Sequence, residues 1–141
     1  MPSLFSKIIA GDIPARMLWE DDQCVSFLDV RPLAPGHALV VPREEIDQWT
    51  DLSSGLAAHL MSVAHSVGRA QFEVFAPERI GLIIAGFEIP HAHVHVVPAN
   101  SMRALDFAQA NTDPDPAELD GQLVRLREAL EAAGHDGVST R

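Results

Sequence analysis

The sequence predicts an α+β fold: a five-stranded, mainly antiparallel sheet with one long helix packed on it, a short N-terminal helix and a C-terminal helix. Three observations predict it. Five strand-like runs lie mostly one after another, which favours antiparallel pairing over crossover-linked parallel strands. One apolar stripe of helical period runs from Ser53 or Ser54 to about Phe75. Gly, Pro and Asp cluster between the runs, where turns need them. The 141 residues amount to one domain at roughly 150 residues per domain.

Taken in order, Ser3 is placed to cap a helix over Leu4–Ala10, whose apolar residues Leu4, Phe5, Ile8 and Ile9 share one side and which Gly11 stops. Ile13-Pro14 forces an extended step. Arg16–Glu20 and Cys24–Val30 read as a hairpin around Asp21-Asp22. Arg31-Pro32-Leu33-Ala34-Pro35-Gly36 interrupts the sheet before a third strand, His37–Arg43. Leu56, Leu60, Val63 and Val67 form the stripe of the long helix. Arg79–Gly86 and His91–Val97 are the last two strands. Asn111–Pro116 is a proline-punctuated loop, and Ala117–Ala133 is a helix ended by Gly134, with Leu119, Leu123, Leu126 and Leu130 on one stripe. Residues 134–141 are expected to fray.

Charge and composition narrow the function. Ten basic against twenty acidic residues leave a formal net charge of −10, which repels polyphosphate surfaces and argues against nucleic-acid wrapping. No apolar run approaches the ~18 residues of a membrane span, and MPSLFSKIIAGDIP lacks the cleavage pattern of a secretory signal. The single cysteine, Cys24, permits no internal disulfide and no cysteine-built zinc site. A reducing cytoplasm is the expected setting, with neither membrane nor nucleic acid as partner.

The chemistry concentrates at His91-Ala92-His93-Val94-His95-Val96-Val97. Side chains alternate across a strand, so His91, His93 and His95 share one face. Three readings are open: a row of core histidines, a metal site completed by His37 or a carboxylate, or nucleophilic and acid–base chemistry on phosphorus. Stacking three titratable rings is an odd way to fill a core. A neutral imidazole, by contrast, is a good nucleophile at pH 7. His59, His65 and His135 are assigned no role.

These residues meet every position of the His-x-His-x-His-x-x signature, with apolar x, of the histidine triad (HIT) superfamily. The resemblance covers most of residues 4–98 and is to the Hint-like branch. It includes Leu4-Phe5-Ser6-Lys7-Ile8-Ile9, Ile13-Pro14, Glu20-Asp21-Asp22, Phe27-Leu28-Asp29-Val30 and Pro32-Leu33-Ala34-Pro35-Gly36-His37-Ala38-Leu39-Val40-Val41-Pro42. On this basis residues 1–98 are a HIT-like domain, and 99–141, which match nothing in the family pattern, are a C-terminal loop and helix packed on it.

The resemblance implies a purine nucleotide phosphoramidase or nucleotidyl hydrolase, active as a homodimer whose sheet continues across the interface, with no cofactor and no catalytic metal. Carried over, His93 is the nucleophile that attacks the α-phosphate. His95 and His91 flank it, touching phosphate oxygens or the leaving group, and His37 supports the triad. Asp29 stands where the family holds the ribose hydroxyls, a role that suits a carboxylate accepting two hydrogen bonds. Leu4, Phe5, Ile8, Phe27, Leu28 and Val30 fall where the base pocket is lined, Glu88 lies near the leaving group, and Ile89 is a further candidate substrate-binding residue.

Three departures bear on detail. Ser3 and Ser6 replace the Cys-x-x-Cys with which many bacterial relatives build half a structural zinc site. Leu82-Ile83-Ile84-Ala85-Gly86-Phe87 lacks the usual asparagine, with Phe87 in place of a glutamine. Glu88 occupies a position that is often Ser or Thr, where a carboxylate repels phosphate unless it is protonated or engages a leaving-group amine. The expected reaction is cleavage of a P–N or P–O bond at a purine nucleoside 5′-phosphoryl centre. A non-catalytic nucleotide- or partner-binding module and a metal-binding protein built on the histidine strand are the alternatives.

Overall fold

The computed structural model describes residues 1–141. A five-stranded antiparallel sheet is formed by β1 (Met17–Glu20), β2 (Cys24–Leu28), β3 (Ala38–Pro42), β4 (Arg79–Ile83) and β5 (Val94–Ala99), in the order β1-β2-β3-β5-β4. Three α-helices accompany it, α1 (Leu4–Ala10), α2 (Ser54–Phe75) and α3 (Pro116–Ala132). The expected α+β architecture is the one observed.

Alternation along the strands gives the sheet two apolar faces. On one, Leu18, Cys24, Leu28, Ala38, Val40, Val94 and Val96 pack against Leu56, Leu60, Val63, Ala64 and Val67 of α2 and Leu126 and Leu130 of α3. On the other, Met17, Val25, Phe27, Leu39 and Val41 pack against Phe5 and Ile8 of α1. The helices begin where their caps are: the side chains of Ser3, Ser53 and Asp115 each accept a backbone N–H of the first turn. The leucine stripe of α3 therefore docks on α2 within the same molecule.

Several boundaries differ from expectation. The strand expected over Arg79–Gly86 ends at Ile83, its last pair with β5 being Ile83↔His95. The histidine strand begins at Val94 rather than His91. Its pairing with β3 runs through Val40↔Val94, and continuing it would set Ala92 opposite Pro42, which has no N–H to give. Ala92 N–H instead bonds Ile46 O at 2.7 Å. Asp29 ends β2 early because its side chain takes the Arg31 N–H at 2.9 Å. Residues beyond Gly134, expected to fray, are docked: Ser139 is buried, and Glu20 N–H and Ser139 N–H bond Gly137 O and Leu18 O at 2.8 and 2.9 Å. His59, assigned no role from the sequence, pairs its Nε2 with Asp21 Oδ2 at 2.7 Å.

Gly36 occupies the left-handed region at φ 82°, and a Cβ there would lie 2.2 Å from the Phe75 ring. Gln71, buried in α2, donates from Nε2 to Gly36 O and Val96 O, both at 2.8 Å, fastening this turn to helix and sheet. Gly36→Ala is expected to cost about 2 kcal/mol or more, from the left-handed penalty plus the clash. Thermal denaturation checks this as a fall in Tm of several degrees.

Candidate active site

Between α1 and the segment that follows β5 lies a cavity of about 350 Å³. Its walls include Leu4, Phe5 and Ile8 of α1, Phe27 and Leu28 at the end of β2, Asp29 and Val30 just after it, and Glu88 and Ile89 of the β4–β5 loop. His93 and His95 also line it. Every residue expected to bind substrate is thus on one cavity. Of the four expected catalytic histidines, His93 and His95 reach it, whereas His37 and His91 stand behind it, buried.

Hydrogen bonds fix which nitrogen of each ring carries the proton. Leu33 N–H donates to His37 Nδ1 at 3.0 Å. The proton of the neutral His37 ring is therefore on Nε2, which donates to His95 Nδ1 at 2.9 Å. His95 in turn has its proton on Nε2, as an N–H donor on a ring that lines the cavity. His93 is set the opposite way: its Nδ1 is 2.7 Å from His91 O, a carbonyl that can only accept. Nδ1 holds the proton, and Nε2 keeps a lone pair. Two adjacent rings, with centroids 5.0 Å apart, thus present opposite functions, a nucleophile and a donor.

The surroundings keep these states in place. Burial lowers His37 to about 4. Burial foremost, then the His37 and His93 rings, lowers His95 to about 3 despite Asp29 nearby. Both are neutral at pH 7. Asp29 divides its carboxylate: Oδ1 caps the turn at Arg31, while Oδ2 lies 3.6 Å from His37 Nε2 and 3.9 Å from His95 Nδ1. At the other end of the rings, Phe5 meets His93 edge-on at 4.9 Å and Phe27 at 5.5 Å.

His91, expected to flank the nucleophile, has both nitrogens committed elsewhere. Nε2–H donates to Pro42 O at 2.7 Å, and Nδ1 accepts from Ser3 Oγ–H at 2.7 Å. It joins the cap of α1 to the end of β3, and its backbone carbonyl sets the His93 ring. The same corner answers whether the residues suit zinc. Ser3 N–H and Ser6 Oγ–H donate to Glu45 Oε1 at 2.5 and 2.7 Å, so neutral hydroxyls closed by hydrogen bonds stand where thiolates would be needed. These residues do not fit the ion. Asp29, His37 and His95 also bring ligand atoms together. Ligation through His37 Nε2, however, would require a proton on Nδ1, where Leu33 N–H already points.

Sequence reasoning did not find Arg31, Leu39, Phe107, Ala108, Ala110 or Thr112, which also line the cavity. Leu39 was visible as part of the Pro-Gly-His run. Phe107, whose ring lies 4.8 Å from His95, gave no signal because its segment is irregular: short 3-10 turns at Met102–Leu105 and Phe107–Gln109. Asn111 N–H anchors that segment to Pro32 O at 2.9 Å.

A family model described as the HIT domain matches residues 10–102. The chain belongs to the HIT family. An uncharacterized HIT-like protein of Mycobacterium tuberculosis is 33% identical over 147 residues, covering 96% of this chain and 100% of its own. Adenylylsulfatase HINT3 of Arabidopsis thaliana is 30% identical over 128 residues, 87% of this chain and 64% of its own. A zinc-bound histidine triad family protein from Mycobacterium smegmatis has a structure similar to this one at a TM-score of 0.79 and 29% identity, covering 92% of this chain and 94% of its own. The HIT family thus includes a relative named as a hydrolase of an adenylyl compound. The Phe107 wall lies beyond the residues that match the family model.

The neutral, buried rings have a consequence for stability. A histidine whose folded pKa lies below its unfolded value binds protons more readily when unfolded. The stability it confers is complete above about pH 6.5 and is lost as pH falls toward the folded value. With His37 near 4 and His95 near 3, unfolding at pH 5 is expected to be easier than at pH 7.5 by on the order of 2 kcal/mol per ring. Urea denaturation at the two pH values measures this, and His37→Asn should remove about half of the difference, the share of its own ring.

Proposed function

We propose that this chain is a nucleotide-binding hydrolase that cleaves the P–N or P–O bond at the α-phosphate of a purine nucleoside 5′-phosphate derivative, through a nucleotidyl-imidazole on His93. The observation that carries this reading is the pair of hydrogen-bond chains, His93 Nδ1 on His91 O and Leu33 N–H on His37 and so on His95, that call for opposite protonation of His93 and His95.

In the first step the His93 Nε2 lone pair forms a bond to phosphorus as the bond to the leaving group breaks. The Nδ1–H, held on the His91 carbonyl, disperses the positive charge that develops on the ring. His95 Nε2–H serves as a donor to the charge on the phosphoryl oxygens. An amine leaves with a proton taken up from water, while sulfate leaves as the anion. In the second step water attacks phosphorus, releasing the nucleoside monophosphate and a proton and restoring neutral His93. Phe5, Phe27, Ile8 and Leu4 offer apolar walls for a purine, and Asp29 is the acceptor available to a ribose diol. Glu88 lines the same cavity and is the residue proposed to face the leaving group.

The active form is proposed to be a homodimer joined along β4. The outer side of β1 is taken by residues 137–139, while β4 is hydrogen-bonded only to β5 and borders exposed Leu82, Ile84, Met61 and Phe72. An uncovered edge beside apolar side chains favours pairing with a second copy. No helix is long and apolar enough to cross a membrane, and the free, buried Cys24 thiol suits a reducing cytoplasm.

The test is incubation with adenosine 5′-phosphoramidate and with adenosine 5′-phosphosulfate, following AMP. Wild type should release AMP from at least one, and His93→Ala should lower the rate by a factor of about 10³ or more. Equal release by the variant contradicts the nucleophile. Tight AMP binding without turnover supports a nucleotide-binding module instead.

A further inference from the structure

The helix α1 is seven residues long, too short to keep its shape in water unaided. Three of its side chains nevertheless form a wall of the cavity. Its N-terminal end is tied through Ser3 to His91 and Glu45. Its C-terminal end is held by a residue far along the chain. Arg141 Nη1 donates to Ile8 O at 3.2 Å and Nη2 to Ile9 O at 3.0 Å. The same guanidinium bonds Glu20 Oε1 of β1 from Nε at 2.9 Å and from Nη2 at 2.6 Å.

Arg141 is itself held in place. Its carbonyl accepts from Arg127 Nη2, and Arg127 also donates to Met17 O at 2.9 and 2.6 Å. Ser139 Oγ donates to Glu20 Oε2 at 2.7 Å. Val138 pairs with Trp19 along the edge of β1. Gly137 lies so close to the Trp19 ring that a Cβ would stand 2.3 Å from it. The segment Gly137–Arg141 is thus a strap that joins β1, α3 and the end of α1. A planar guanidinium can serve two helix-end carbonyls and a carboxylate together, whereas an ammonium serves them only as a point charge.

We propose that Arg141 is a positioning residue for the base-binding wall: by fixing the last turn of α1 against Glu20 it sets the KM of substrates that carry a base. This rests on the nucleotide reading given above. No part of Arg141 lines the cavity, so it acts through Leu4, Phe5 and Ile8.

The experiment compares wild type, Arg141→Ala, Arg141→Lys and the milder Glu20→Gln in the full chain, on adenosine 5′-phosphoramidate and on the base-free ribose 5-phosphoramidate. Arg141→Ala is expected to raise KM for the adenosine compound about five-fold, the order of one net hydrogen bond. Its kcat should stay within about two-fold, and the base-free compound should be processed as by wild type. Arg141→Lys should restore part of the loss, and Glu20→Gln should move KM in the same direction by less. An unchanged KM, or an equal loss on both substrates, overturns the proposal. Amide hydrogen exchange separates this outcome from failure of the nucleotide reading. Faster exchange in residues 4–10 of Arg141→Ala, with β3 and β5 unaffected, supports the coupling even if no substrate turns over. Unchanged exchange there overturns it.

Discussion

The hydrogen bond from the Leu33 backbone N–H to His37 Nδ1 is a single contact, and the protonation of both His37 and His95 follows from it. A backbone N–H cannot switch to an acceptor, so His37 must keep its proton on Nε2 and His95 must keep its own on the nitrogen away from His37. Reversed, the same rings would turn a lone pair toward an anionic phosphate and repel it. The stretch Pro32–Gly36 makes the bond possible. Gly36, at φ 82°, folds the chain so that Leu33, four positions before His37, meets the imidazole, and His37 N–H closes the turn on Ala34 O at 3.1 Å. A motif that reads as a loop between strands is the device that sets a protonation state.

The sheet separates stability from chemistry by its two faces. Most of the aliphatic burial lies on the α2 and α3 side, where Val94 and Val96 of the histidine strand point. The opposite side carries the imidazoles and is covered by the short α1 and by the irregular segment holding Phe107. Walls of that kind depend on polar ties as well as on apolar burial. Ser3, Glu45 and His91 at one end of α1 and Arg141 with Glu20 at the other are such ties. Ser3, Ser6, Glu45 and His91 form a hydrogen-bonded corner that holds the start of the helix.

Periodicity made most of the fold legible. The α2 stripe, the Ser3 and Ser53 caps and the five strand runs rest on local physics that the sequence states directly. Its failures were tertiary. Nothing local says that Pro42, opposite Ala92, shortens the histidine strand. Nor does it show that residues after Gly134 return to β1, because Val138 and Arg141 find partners more than a hundred positions away. In the site, strict alternation placed His91 with His93 and His95. The departure from strand pairing at Ala92 leaves His91 turned into the corner formed by Ser3 and Pro42. Phe107 was silent because an isolated aromatic in a loop carries no periodicity. Arg31 was silent because a cation after a turn reads as solvated.

The central claim, that His93 offers a lone pair and His95 an N–H from Nε2, is open to direct observation by long-range ¹H–¹⁵N correlation spectroscopy of the imidazoles at neutral pH. The expected result is a bare Nε2 on His93, and a bare Nδ1 with protonated Nε2 on both His37 and His95. A proton found on Nδ1 of His95, or a cationic His95 ring, would contradict it.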